Sequence, residues 1–136
     1  MSGGLCFPLY ACSREIIKRY TPFLEKIDLT YTQYIAMMVL WGKKQISVKE
    51  LGKCLFLDSG TLTPLLKKLE QKGYVTRTRS EEDERVLIAA ITPKGEDLKD
   101  EAVLIPQKMM ACAALLQEKA AQLYTLLYEL LNTLEK

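Results

Sequence analysis

LDSGTLTPLLKKLEQKGYVTRTRSEEDER, residues 57–85, decides the fold. Asp58, Ser59 and Thr61 are residue types that start helices, because a short side-chain oxygen can accept a bond from a free amide of the first turn. Leu62, Leu65, Leu66 and Leu69 then recur at helical spacing, and Gly73 supplies the residue on which helices end. Past that glycine, residues 74–79 alternate bulky, β-branched and basic side chains at strand spacing, and residues 86–92 form a second β-prone run. The charged residues 80–85 join the two runs as a hairpin tip.

Upstream, residues 47–56 open with Ser47 and carry Glu50 three positions on, the arrangement of a capping box, and their pattern is amphipathic. The order is therefore helix, tight turn, helix, hairpin. Such an order places the second helix on an outer face, where it can enter a DNA major groove while a basic hairpin tip reaches the flanking minor groove. The fold class expected is mainly α with a small β-hairpin wing, a winged helix-turn-helix. An ordinary α+β core without a nucleic-acid role fits the same pattern.

Asp83-x-Arg85 followed by Leu87-Ile88-Ala89-Ala90-Ile91-Thr92-Pro93-Lys94-Gly95 resembles the wing signature of the MarR family of transcription regulators. Residues 57–69 are similar to the recognition helix of its organic-peroxide-sensing, OhrR-like branch. The resemblance extends over nearly the whole chain. It implies a homodimer that represses transcription from a pseudo-palindromic DNA operator, with the first helix and the last two building the dimer interface.

The chain has 136 residues, 49% hydrophobic and 26% charged, which fits one domain with a real core. Residues 30–92 would be the DNA-binding part, and residues 5–27 and 94–136 the dimerisation helices. No apolar run approaches the length that crosses a bilayer, and no basic region followed by a sustained apolar one stands at the N-terminus, so a cytoplasmic protein without a membrane partner is expected. A net charge of +2 is weak support for a nucleic-acid partner. In residues 58–85, Lys67, Lys68, Lys72, Arg77, Arg79 and Arg85 are balanced by Asp58, Glu70, Glu81, Glu82, Asp83 and Glu84. A protein so balanced has to place a few cations accurately at phosphates and grooves, and gains affinity by dimerising.

There is no histidine. That removes the commonest general base and metal ligand and every Ser-His or Cys-His nucleophile, so neither an enzyme nor a cofactor is expected. Cys6, Cys12, Cys54 and Cys112 form no C-x-x-C pair, which argues against structural zinc.

Residues 5–27 read as the first long helix, with Leu9, Ile16, Ile17, Tyr20, Phe23, Leu24 and Ile27 on one side. Pro22 is expected to kink or break it, because proline lacks the donor and crowds the preceding turn. Pro8 fits only in the first turn, which puts Cys6 at or just before the helix N-terminus. The partial positive charge of that end favours a thiolate, the form that attacks peroxides. Tyr10 is four residues on, and with Tyr20 and Tyr31 it offers phenol donors. The run Leu-Cys-Phe-x-Leu-Tyr-x-x-Ser-Arg-Glu resembles the OhrR-like first helix. That likeness implies that Cys6 is the redox sensor, surrounded by Tyr10, Tyr20 and Tyr31 partly across the dimer. Pro8 departs from the family pattern. Cys12 reads as packing and Cys54, amid Leu51, Leu55 and Phe56, as core.

Residues 30–41 read as a helix capped by Thr30 and ended by Gly42, apolar nearly all round in its second half and hence central. Its Tyr34, Met37, Met38 and Trp41 read as core rather than a ligand pocket. Pro93 begins another helix that continues to Pro106, and residues 109–134 carry a stripe including Ala111, Leu115, Leu116, Leu123, Leu126, Leu127, Leu130 and Leu134. Cys112 lies roughly where two-cysteine members of the resembled branch keep a resolving cysteine on the opposite subunit. The one-cysteine alternative caps oxidised Cys6 with a small cellular thiol.

For DNA, Ser59, Thr61 and Thr63 in the first part of the recognition helix meet base edges, with an irregular turn expected at Pro64. Lys67 and Lys68 reach phosphates, Arg77 and Arg79 contact the backbone from the strand, and Arg85 enters the minor groove oriented by Asp83. The rival readings are a regulator that answers a small aromatic ligand, a thiol peroxidase using Cys6, and a protein-interaction module.

Overall fold

A computed structural model of the chain describes residues 4–112 and 119–134. The chain divides into two compact units, Met1–Val103 and Leu104–Lys136. The first runs α1 (Cys6–Glu25), α2 (Tyr31–Lys43), β1 (Gln45–Ser47), α3 (Val48–Leu55), α4 (Ser59–Gln71), β2 (Val75–Arg79), β3 (Leu87–Ile91) and α5 (Pro93–Ala102). The second holds α6 (Ile105–Cys112) and α7 (Ala120–Leu134). The mainly helical winged fold expected from residues 47–92 is present. Among the described residues no helix is long and apolar enough to cross a membrane.

In the first unit, α2, α3 and α4 surround a core in which Met37, Leu40, Leu51, Leu62, Leu66 and Leu69 are fully buried, closed at the wing by Val75 and at the end of α1 by Leu24. Thr30 caps α2 as expected, with the Gln33 amide donating to its hydroxyl and the Gln33 side chain accepting from the Thr30 amide. Tyr34, Met37 and Trp41 are buried, whereas Met38 is exposed.

Several local expectations are corrected. Helix α1 runs unbroken through Pro22, which sits in its last turn and removes a single amide donor there. Helix α4 is likewise continuous through Pro64. Helix α2 does not stop at Gly42 but at Lys44, which turns at φ +70° while its carbonyl accepts from the Ile91 amide at 2.9 Å. That sheet contact, made across the fold, fixes the turn where local preference favoured the glycine. The same turn starts β1, so the sheet has three antiparallel strands in the order β1-β3-β2 rather than the two of a bare hairpin. Ile46 pairs with Ala89, and Arg77 pairs with Ala89 from the other side. The helix begun at Pro93 ends at Ala102, and a new one starts at Ile105 with Pro106 in its first turn.

Helix α5 is held against α2, β3 and the turn into the wing by very close packing. The Trp41 indole N–H donates to the Gly95 carbonyl at 2.8 Å. A Cβ on Gly95 would stand 2.3 Å from the Tyr74 carbonyl oxygen and 2.9 Å from Ile91 Cγ1. Only glycine fits without moving backbone. Gly95→Ala is therefore expected to lower unfolding stability by about 2–3 kcal/mol, read as a lower urea midpoint with an unchanged slope.

Candidate nucleic-acid interface and thiol site

The helix-turn-helix is formed by α3 and α4. The Ser47 hydroxyl accepts from the Glu50 amide at 3.1 Å and starts α3. Phe56 ends it in the left-handed conformation at φ +56°. The chain then passes so close to α3 that a Cβ on Gly52 would meet the Leu57 carbonyl oxygen at 2.9 Å. Asp58 caps α4, its carboxylate accepting from the Thr61 amide at 2.8 Å. The Thr61 amide, with the Thr61 hydroxyl second, holds that carboxyl below its ordinary value.

Leu62, Leu65, Leu66 and Leu69 turn inward, and this leaves Ser59, Thr61, Thr63, Lys67 and Lys68 exposed. Ser59, Thr63 and Lys67 follow one another at intervals of four, which lines them along one ridge of the helix. The ridge carries hydroxyls near the N-terminus and cations farther along. This is a surface on which donors and acceptors for base edges precede charges for phosphates.

The wing follows α4 through Gly73 at φ +85°. In its tip the Ser80 amide donates to the Val86 carbonyl at 2.8 Å, and Arg85 makes a two-pronged contact with Asp83, Nε to Oδ1 at 3.1 Å and Nη2 to Oδ2 at 3.2 Å. The Arg85 guanidinium, with the Arg85 amide second, pulls the Asp83 carboxyl below its ordinary value. The Arg85 side chain is 91% exposed, so it is aimed but free to meet a ligand. Arg79 is exposed on the strand. Arg77, expected as a backbone contact, is half-buried and paired with Glu70 of α4, Nη2 to Oε1 at 3.0 Å.

Cys6 is the first residue of α1, exposed, with Tyr10 one turn on and also exposed. Arg14 donates to the Tyr10 hydroxyl at 2.9 Å. Tyr20 and Tyr31 are elsewhere: their ring centroids are 5.1 Å apart, and Tyr34 joins them at 5.8 and 6.5 Å. Burial raises the pKa of all three phenols, so they stay protonated donors at neutral pH. Along a helix rising 1.5 Å per residue, Cys6 and Tyr20 are about 21 Å apart. One chain therefore cannot surround its own thiol with these rings.

Cys54 and Cys12 are both exposed, against the core and packing roles read for them. Cys54 falls on the outward face of a two-turn helix whose inward face is Leu51 and Gly52. Cys112 ends α6, and its side chain lies outside the described residues, as do Leu115 and Leu116. Glu70 and Lys72 were not singled out by motif. Lys72 Nζ donates to the Asp28 carbonyl and to Gln33 Oε1 at 3.0 Å, tying the end of α4 to the α1–α2 turn. The legible signal for Glu70 is its place three residues before Gly73, from which the reversed chain returns past it.

Residues 18–102 match the family described as transcriptional regulator SarA/Rot. The organic hydroperoxide resistance transcriptional regulator of Bacillus subtilis is 48% identical over all of this chain and 92% of its own length. The chain belongs to the MarR family, in its OhrR-like branch. Among solved structures, reduced AbfR bound to DNA superposes with a TM-score of 0.81 at 34% identity, over 96% of this chain and 90% of that one. AbfR, from Staphylococcus epidermidis, also has a disulfide-formed structure, similar at a TM-score of 0.69 and 33% identity over 97% of this chain and 90% of that one. A MarR variant of E. coli complexed with operator DNA shares the fold at a TM-score of 0.78 and 24% identity over 93% of each chain. This MarR-family chain is a DNA-binding transcription regulator, and its relatives are regulators rather than enzymes.

The two lowered carboxyls of the interface, the Asp58 cap and Asp83 of the wing tip, give a pH signature. A carboxyl whose folded pKa lies below its unfolded value adds stability that is present above the unfolded value and is lost as pH falls through the folded one. Asp58→Asn keeps the cap acceptor but not the ionisation. The variant is expected to lose less of its urea midpoint than wild type between about pH 5 and pH 3, the range below the ordinary carboxylate value.

Proposed function

We propose that the chain is a homodimeric repressor, released from a pseudo-palindromic operator when organic peroxide or a related oxidant oxidises Cys6. The observation that carries this is the exposed Cys6 thiol at the N-terminus of α1, about 21 Å from the Tyr20 and Tyr31 phenols by helix rise. A second copy is the simplest source of phenols for each thiol. The exposed apolar residues of α1 and its N-cap (Leu5, Phe7, Ile16, Ile17) and of α7 (Leu123, Leu126, Leu134) supply surface for such a pairing.

The thiolate attacks the outer peroxide oxygen. The O–O bond breaks, the alcohol leaves with a proton, and Cys6 becomes a sulfenic acid. A second thiol then displaces hydroxide as water, forming a disulfide either with Cys112 of the other subunit or with a small cellular thiol. AbfR, which has both a reduced DNA-bound and a disulfide-formed structure, supports the disulfide route. On DNA, Ser59, Thr61 and Thr63 read base edges, Lys67, Lys68 and Arg79 hold phosphates, and Arg85, aimed by Asp83, enters the minor groove. Half-sites stand about one helical turn apart, so a change in the spacing of the two subunits breaks register.

Fluorescence anisotropy on the operator tests this with wild type and Cys6→Ser, with and without an organic hydroperoxide. Wild type is expected to bind and lose at least about ten-fold in affinity on oxidation, a change of about 1.4 kcal/mol. Cys6→Ser binds within about two-fold of reduced wild type and does not respond. Equal release of both proteins rejects Cys6 as the sensor. On a non-reducing gel, peroxide-treated wild type is expected to run as a covalent dimer and Cys112→Ser as a monomer; a monomeric wild type selects the small-thiol route.

A further inference from the structure

We propose that Arg77 and Glu70 form a strut that fixes the angle between the recognition helix and the wing, which makes Arg77 a positioning residue rather than a phosphate contact. The inference rests on the DNA-binding role of α4 and the wing. Three features of β2 lead to it. Its exposure alternates: Val75 is buried, Thr76 and Thr78 are exposed, and Arg77 between them is half-buried, on the same face as Val75. Arg77 Nη2 lies 3.0 Å from Glu70 Oε1 in the last full turn of α4, with the two side chains only 20% and 39% exposed. Arg77 Nε is buried without a hydrogen-bond partner among the described residues.

That last feature narrows the simplest alternative. A phosphate docking on Arg77 cannot reach Nε, which is covered by protein, and Nη2 is already engaged by Glu70. The arginine is held with one donor unmet, and the contact that remains to orient it is the ion pair with Glu70.

The placement gives the pair leverage. Gly73 reverses the chain between residues 70 and 77, so the two side chains brace the corner from either side. Residue 80, where the tip begins, lies about 10 Å beyond Arg77 at the rise of a strand. A small tilt at Arg77 is thus carried outward to Arg79 and to the Asp83–Arg85 tip. An arginine that touched phosphate would be held back by Glu70, and removing the carboxylate would free it; a strut would lose its footing instead. The sign of the Glu70 effect separates the two.

The test combines operator affinity across a salt series with amide hydrogen exchange of the free protein, for wild type, Glu70→Gln, Arg77→Gln and the double variant. Each single variant is expected to bind about ten-fold more weakly with an unchanged slope of log affinity against log salt, the double variant no more weakly than either. Exchange in residues 75–79 and 87–91 is expected to quicken in all three. Tighter binding by Glu70→Gln, together with a salt slope reduced by about one in Arg77→Gln, would identify a phosphate contact and overturn the proposal. Unchanged wing exchange overturns it as well. The reversed pair, Glu70→Arg with Arg77→Glu, guards against simple misfolding: it is expected to restore wing protection, and a folded reversed pair that restores none counts against the strut. If wild type binds no operator, the DNA-binding reading fails, while the exchange measurement still decides whether the strut exists.

Discussion

Three segments far apart in sequence are joined at the turn formed by Lys72, Gly73 and Tyr74. The Thr92 hydroxyl donates to the Gly73 carbonyl at 2.6 Å, and the Thr92 amide to the Tyr74 carbonyl at 3.0 Å. Lys94 Nζ donates to the Lys72 carbonyl at 2.9 Å and lies 5.3 Å from the Tyr74 ring centre. Lys72 itself reaches the Asp28 carbonyl and Gln33. The end of the recognition helix, the start of the wing, the cap of α5 and the α1–α2 turn therefore share one small region. Backbone groups that would otherwise lack partners at the helix end are met there by side chains from the other segments. Gly73 and Gly95 are both needed, one for its positive φ and one because a carbonyl occupies the place of its Cβ.

This junction explains how a weakly charged protein presents a DNA-reading surface. Its cations and carboxylates nearly cancel, so the field of the whole molecule contributes little and geometry has to do more. The apolar row of α4 is driven inward by burial, and its hydroxyls and lysines are left outward as a consequence. The wing is held by local contacts rather than by the field of the whole molecule: a third strand on one side of β3 and an ion pair to α4 from β2. The thiol end of α1 is organised in the opposite way. Cys6, Phe7 and Tyr10 are exposed, and no residue of α7 is buried.

The helix-turn-helix and the wing were legible because their signals are local. A cap at Asp58, leucines at helical spacing, a terminating Gly73 and alternation after it act over a few residues each, and each kept its meaning in the fold. Where the reading failed, a distant partner had intervened. β1 has only three residues and no period of its own, and it exists because β3 offers it a ladder. Lys44 rather than Gly42 ends α2 because the Ile91 amide is bonded there. Cys54 has apolar neighbours in sequence yet points outward, because on a helix adjacent residues face different directions.

By itself, then, the sequence determined the succession of α2, α3, α4 and the wing, the face α4 would bury, and the place of Cys6 at the start of α1. These follow from backbone preference and periodicity, which need no knowledge of the rest of the chain. Tertiary structure alone decided that Arg77 is committed to Glu70, that Lys72 and Thr92 meet at the Gly73 turn, and that Tyr20, Tyr31 and Tyr34 cluster a helix length from Cys6. Each of these depends on how far apart residues stand in space, and that is set only when the whole core is packed.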